Sequence, residues 1–350
     1  MIEKNLDFRS DTVTKPTPEM REAAAKAEVG DDGYGDDPTV NKLQRLAADM
    51  LGKEEGLFVC SGTLGNAVGI LAQTQRGDEF IVESSSHIMI YQSKDMAFTG
   101  GIYTRAINGE LGWMRPGDLE QAIRSSREVE FGTRSRTSLI SVENTHNVAG
   151  GIPLTLEQLE SNFDVAKSFD MSVHLDGARI FNAAVALKVN VKKLTKFADT
   201  VSFCVSKGLS APVGSLLVGS KEIIDKARQY RTSLGGGMRQ AGIIAAPGIV
   251  ALTKMVDRLA EDHENARLLS EGLKGIRGLK ILNPVMTNMV YIDVSGLGWT
   301  GRQWAEACEK LGWRSTGTQT PIVRLCTHYG IEREDIESFA MGIRRLIPKK

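Results

Sequence analysis

The chain has 350 residues, with 43 Lys and Arg against 43 Asp and Glu. Hydrophobic residues make up 41% and charged residues 25%, ordinary for a globular protein, which excludes a disordered chain or a fibrous repeat. The neutral balance excludes a global field that collects nucleic acid or anionic membrane, and no run approaches the roughly 18 apolar residues of a membrane helix.

In chain order, Val40, Leu43, Leu46, Ala47, Met50 and Leu51 recur at helical spacing and predict a helix over 40–51, stopped by Gly52. Before it, residues 28–38 read as a loop, because their glycines, acids and proline do not propagate a helix. Strands are predicted at 56–59, 79–82, 101–105, 137–143, 172–175, 199–205 and 214–218. Helices alternate with them over 63–75 and from residues 116, 156 and 179. Such alternation implies right-handed crossovers and a mostly parallel sheet buried on both faces, an α/β fold.

From about Gly237 the texture changes. A long helix is predicted through 241–259 and onward into AEDHENAR, followed by strands at 289–294 and 322–325 and helices at 301–311 and 333–346. This predicts a large domain over 1–250 and a small α+β domain over 251–350, with the N-terminal segment, about 1–15, free to pack elsewhere. Cys60, Cys204, Cys308 and Cys326 are far apart and read as reduced, packed thiols; with no apolar signal core at the N-terminus, a cytoplasmic protein is expected. The five histidines form no pair with ligand spacing, so no metal is expected.

Three segments carry chemistry. In SFCVSKGLSAPVGSLLVG, Lys207 follows an apolar strand and precedes Gly208; an amine there suits imine formation, and equally reads as a surface lysine at a strand end. In MSVHLDGARIFNA, Asp176 ends a strand, where it can pair with a pyridine nitrogen or cap the helix that follows. In FVCSGTLGNAV, a strand, Ser-Gly-Thr and a helix present free N–H groups to an anion, without a Walker or GxGxxG pattern. Lys207 follows Asp176 by 31 residues, enough for one helix and one strand. A carbonyl-capturing lysine, a pyridinium-pairing aspartate and a phosphate-holding helix start together describe a site for pyridoxal 5′-phosphate (PLP).

The order of these motifs resembles the threonine aldolases among the fold-type I, aspartate-aminotransferase-like PLP enzymes. FRSDTVTKPTPEM (8–20), VGDDGYGDDPT (29–39), SGTLGN (61–66), SSHI (85–88), ENTHN (143–147), HLDGARIFNA (174–183), SKGLSAPVGS (206–215), GGGMRQAG (235–242) and VRLCTH (323–328) all fall in sequence. The resemblance implies that Lys207 carries PLP covalently, Asp176 meets its ring nitrogen, Gly62 and Thr63 hold its phosphate and His87 stacks on its ring. It implies that Ser10, Arg179 and Arg324 hold the substrate carboxylate, with Arg179 also beside the cofactor and Tyr34 and Tyr91 beside the substrate. His87 and His146 are the base candidates, directly or through a water, and the residues do not choose between them. The implied reaction is retro-aldol cleavage of L-threonine, L-allo-threonine and related L-β-hydroxy-α-amino acids to glycine and an aldehyde. Rivals on the same scaffold are an amino-acid racemase, a β-eliminating lyase or a non-catalytic PLP-binding protein.

The resemblance also implies a homo-oligomer, a tetramer of two close dimers with shared active sites, in which Arg239 of GGGMRQ reaches a neighbour's phosphate. Where relatives often place a lysine three residues before those glycines, this chain has Thr232, with Arg231 one position earlier. Arg231 is expected to compensate in part. The partners expected are a small amino acid and an aldehyde, with no nucleic acid and no membrane.

Overall fold

The computed structural model describes residues 6–127 and 135–347; residues 1–5 of the N-terminal segment lie outside them. The strands are β1 Leu6–Asp7, β2 Glu55–Val59, β3 Glu79–Glu83, β4 Tyr103–Ile107, β5 Thr137–Glu143 and β6 Ser172–Asp176. They continue with β7 Thr200–Cys204, β8 Ser215–Gly219, β9 Lys280–Ile281, β10 Met289–Asp293, β11 Trp313–Arg314 and β12 Ile322–Cys326. Seven of them form one sheet in the order β2-β8-β7-β6-β5-β3-β4, parallel throughout except for β8, which runs antiparallel to both neighbours. The fold is α/β with a mostly parallel sheet.

The helices that fill the crossovers are α1 Pro18–Ala25, α2 Pro38–Leu51, α3 Gly62–Leu71, α4 Ser93–Gly100, α5 Pro116–Arg127, α6 Leu156–Ser168, α7 Ile180–Leu187 and α8 Val191–Thr195. α9 Lys221–Ser233, α10 Gly242–Lys254, α11 Leu259–Leu273, α12 Gly301–Glu309 and α13 Arg333–Leu346 follow. α2 shows why local sequence suffices in places: Asp37 caps Thr39 and Val40, and Gly52 ends the helix at φ 67°, a left-handed value glycine adopts freely. α3 lies close on the sheet because it is glycine-rich on that face. A Cβ on Gly65 would stand 2.5 Å from Ser202 Oγ, and one on Gly69 2.8 Å from Leu217 Cδ1.

Among the described residues the two largest hydrophobic clusters lie on different sheets. The larger joins Leu43, Phe58, Ile140, Leu175, Phe203 and Ala245 around the main sheet. The second surrounds the three-stranded sheet β12-β10-β9 and contains Leu6, Phe8, Leu269, Trp304, Leu325 and Phe339. The start of the chain thus packs in the second core, with β1 paired parallel to β11.

The predicted helix running through 241–259 and onward is instead two helices. α10 packs on α1 and α2, whereas α11 packs on α13 and α7, so the turn at 255–258 redirects the chain between surfaces no single axis could serve. The sequence reading also passed over α1 and α9. In α9 only Ile224, Ala227 and Arg231 are buried, a stripe too narrow and charge-rich to stand out.

Candidate active site

The parallel strands end along one edge of the sheet, where open α/β folds bind ligands. There, β6 ends on Asp176, β7 leads to Lys207, and α3 begins after β2. The cleft between them has a volume of about 400 Å³, and Gly62, Thr63, His87, Asp176 and Lys207 all line it, with Thr12, Asn66, Ser202 and Ala178.

α3 opens with Ser61, whose Oγ accepts from the Leu64 amide at 3.2 Å. That cap leaves the amides of Gly62 and Thr63, which have no intrahelical acceptor, turned toward the cleft end. A Cβ on Gly62 would come within 2.9 Å of Cys204 Sγ and 3.6 Å of Ser215 Oγ, and Ser215 Oγ is buried with no protein partner. Only glycine keeps this cradle open.

Asp176 is buried. Its Oδ2 accepts from Asn66 Nδ2 at 2.9 Å and its Oδ1 from the Ala178 amide at 3.2 Å. It does not cap α7, which starts at Ile180 after Arg179 and has no side-chain cap. Lys207 is half-buried and lines the same cleft. Its carbonyl accepts from Thr14 Oγ1 at 2.9 Å, which ties the N-terminal segment to the lysine loop.

Arg179 is buried, and its Nε and Nη2 donate to Asp11 at 2.7 and 2.6 Å. Burial opposes the Asp11 charge, but Arg179, Lys207 and Arg324 outweigh it and hold the carboxyl well below the usual range. One edge of the Arg179 guanidinium, through Nε and Nη2, is thus held by Asp11. Arg324, on β12, donates through Nη1 to Asn147 Oδ1 at 2.9 Å and through Nη2 to the Arg9 carbonyl at 3.1 Å; its Nε has no partner. Ser10 Oγ accepts from the Thr12 amide at 3.2 Å and its O–H lies 3.4 Å from Asp11 Oδ1.

His87 lines the cleft with no hydrogen bond to its ring among the described residues, and its ring lies tilted by 39° against Tyr91 at 4.9 Å between centroids. The expectation that His146 is a base candidate meets a different geometry. His146 is fully buried, its Nδ1 accepts from the Ala149 amide at 3.2 Å, and its Nε2 lies 2.9 Å from Glu83. Burial pushes its pKa down, but Glu83, Glu143 and Asp176 together raise it. Both ring nitrogens are engaged, so no lone pair is left for substrate. The cluster acts through the backbone instead: Glu143 accepts from the amides of His87 (2.6 Å) and Asn147 (2.8 Å).

Arg231, expected to reach phosphate, is buried and donates to the Phe58 carbonyl at 2.8 Å and to Asp32 at 2.7 Å. Moving it would leave the buried Asp32 carboxylate unpaired, which opposes its use in place of a lysine at Thr232. Tyr34 (83% exposed) and the Arg239 side chain (73% exposed) stand together on an open surface outside the cleft. Asp11, Asn66, His174 and Glu143 escaped the sequence reading. His174 alone carried a signal, because a strand places it on the same face as Asp176.

With this geometry in place, comparison with known proteins assigns the family. A β-eliminating lyase family model matches residues 7–296. The probable low-specificity L-threonine aldolase 2 of Arabidopsis thaliana is 43% identical over 95% of this chain and 95% of its own. The chain belongs to the L-threonine aldolase family. The low specificity L-threonine aldolase of Escherichia coli K12 is 40% identical over 98% of this chain and all of its own. Among solved structures, the Leishmania major threonine aldolase superposes with a TM-score of 0.83 at 19% identity, covering 98% of this chain and 100% of that one, which supports the fold.

Proposed function

We propose that this chain is a PLP-dependent aldolase that cleaves L-threonine, L-allo-threonine and related L-β-hydroxy-α-amino acids to glycine and an aldehyde. One observation carries the reading: a lysine amine, a doubly hydrogen-bonded aspartate and a free helix N-terminus line one cleft in a chain of this family. The donor set suits PLP. The amides of Gly62 and Thr63 and the open cradle beside Ser215 would hold its phosphate, Asp176 its ring nitrogen, and Lys207 its carbonyl carbon covalently.

When bound, the cofactor supplies the electron sink for the breaking Cα–Cβ bond. The protein's part is orientation and proton transfer. Arg179, braced by Asp11, and Arg324 would fix the substrate carboxylate, which decides which bond at Cα lies across the ring. His87 is the cleft imidazole with both nitrogens free, and it would take the β-hydroxyl proton as the aldehyde leaves. Asp176 would accept from the ring N–H, and the proton His87 takes balances the one Cα gains as glycine forms.

The assembly is a proposal on the same footing. Arg239 and Tyr34 would reach a neighbouring subunit's cleft in a tetramer of two close dimers, a reading supported by their exposure away from their own cleft. The large and small domains, 1–250 and 251–350, are proposed on the two cores, and a cytoplasmic setting on the four free cysteines. No helix among the described residues is long and apolar enough to cross a membrane.

The test is a product assay on the four threonine stereoisomers and on L-alanine. Acetaldehyde with glycine from the L isomers supports the aldolase; D-alanine from L-alanine, without acetaldehyde, supports the racemase instead.

A further inference from the structure

Behind Asp176 a row of buried polar side chains crosses from the sheet to α3. His174 and Asp176 are two apart on β6, so both side chains face α3. The helix makes room for the imidazole at Gly69, where a Cβ would stand 2.8 Å from His174 Cε1. Asn66 bridges the two residues: its Nδ2 donates to Asp176 Oδ2 at 2.9 Å and its Oδ1 lies 3.1 Å from His174 Nε2. Beyond the ring, His174 Nδ1 lies 2.8 Å from Thr200 Oγ1, which accepts from Gln73 Nε2 at 2.7 Å.

The direction of this row follows from its partners. Burial pushes His174 down to about 4, against the pull of Asp176, so the ring is neutral and carries one N–H. Gln92 shows which way the Asn66 amide points. Its Nε2 donates to the Thr63 carbonyl at 2.9 Å, so its Oε1 is the atom that faces Asn66 Nδ2, also at 2.9 Å. Asn66 Oδ1 therefore faces His174 and can only accept, which puts the imidazole proton on Nε2 and leaves Nδ1 to accept from the Thr200 hydroxyl. Gln73, Thr200, His174 and Asn66 each donate toward Asp176, and each bond polarises the next.

We infer that His174 is a positioning residue whose Nε2–H locks the Asn66 amide, so that an N–H and not a carbonyl meets Asp176. The role rests on the reading above, in which Asp176 meets the ring nitrogen of PLP. With the amide reversed, Asn66 Oδ1 would face the carboxylate, raise its affinity for a proton and remove the charge that holds the ring nitrogen protonated. The same row reaches Thr63 through Gln92, so it links both ends of the cofactor cleft.

The test compares His174→Phe, which fills the volume without a donor, with His174→Gln, which returns an N–H. Three readouts apply to the holoprotein: PLP dissociation constant, visible absorbance of the bound cofactor against pH, and kcat against KM for L-threonine. His174→Phe should bind PLP about tenfold more weakly and lose about tenfold or more in kcat with little change in KM, and His174→Gln should recover most of both. A folded His174→Phe with wild-type PLP affinity and absorbance overturns the assignment. Nitrogen-15 NMR of the wild-type imidazole decides independently of any variant that fails to fold: a proton on Nε2 supports the inference, and one on Nδ1 overturns it. If the variants differ as expected in PLP affinity while wild type releases no acetaldehyde, the aldolase reading fails and the role of His174 toward Asp176 stands.

Discussion

Asp11 clasps Arg179 through both carboxylate oxygens, at 2.6 and 2.7 Å, with both side chains buried. Asp11 comes from the N-terminal segment and Arg179 from the loop after β6, so the pair fastens that segment onto the edge of the cleft.

Breaking that clasp leaves an arginine charge buried and unpaired. Asp11→Asn should lower unfolding stability by about 3–5 kcal/mol near neutral pH and raise KM for L-threonine. The Asp11 carboxyl is held below its unfolded value, so its contribution is complete above about pH 4 and is lost only as pH falls through the lowered folded value. Urea unfolding from about pH 1 to 8 measures this: wild type and variant should converge toward acid, and a gap that stays constant down to the acid end would refute the assignment.

His146 behaves in the opposite sense. Its pKa is raised, so its stabilisation is full below about pH 6.5 and fades as pH rises through the folded value. His146→Asn should therefore cost more stability at pH 6 than at pH 9. It should still turn over substrate, because the ring is enclosed by Glu83 and the Ala149 amide. Complete loss of kcat in a folded variant would restore His146 as the base.

Asp176→Asn should reduce kcat by orders of magnitude, and Asp176→Glu by less, since an amide cannot hold a ring nitrogen protonated. Normal kcat in the Asn variant with PLP bound would remove Asp176 from the chemistry.

Arg324→Ala should raise KM and lower kcat together, because holding the carboxylate also aligns the scissile bond. Arg324 also ties Asn147 to the Arg9 carbonyl. A thermal melt must therefore accompany the kinetics; lower stability with unchanged kinetics would mean a purely structural arginine.

Arg239→Ala should release PLP on dialysis and lose about 1.5–3 kcal/mol of phosphate binding, with no rescue by the buried Arg231. A wild-type monomer of full activity in sedimentation would contradict a shared site.

Much of this was legible in the sequence because the parallel strands are buried on both faces and read as apolar runs: β5 was placed to the residue, and β2, β6 and β12 to within one or two at either end. The cleft residues Lys207, Asp176, Gly62 and Thr63 were legible because strand ends and a Ser-Gly-Thr helix start are local features. Others depend on distant partners. Arg231 looks available until Asp32, from a loop about 200 positions earlier, is seen beneath it. The His146 ring looks like a base until Glu83 is placed against it. The break between α10 and α11 follows from the surfaces each helix covers, which no periodicity records.

The most direct measurement of the central claim is simultaneous quantification of acetaldehyde and glycine released from L-threonine by PLP-loaded wild type and by Lys207→Ala. Equimolar products from wild type, and neither product nor the absorbance of covalently bound cofactor from the variant, are the result this account predicts. Wild-type rates in Lys207→Ala, or PLP-loaded wild type that yields no acetaldehyde, would contradict it.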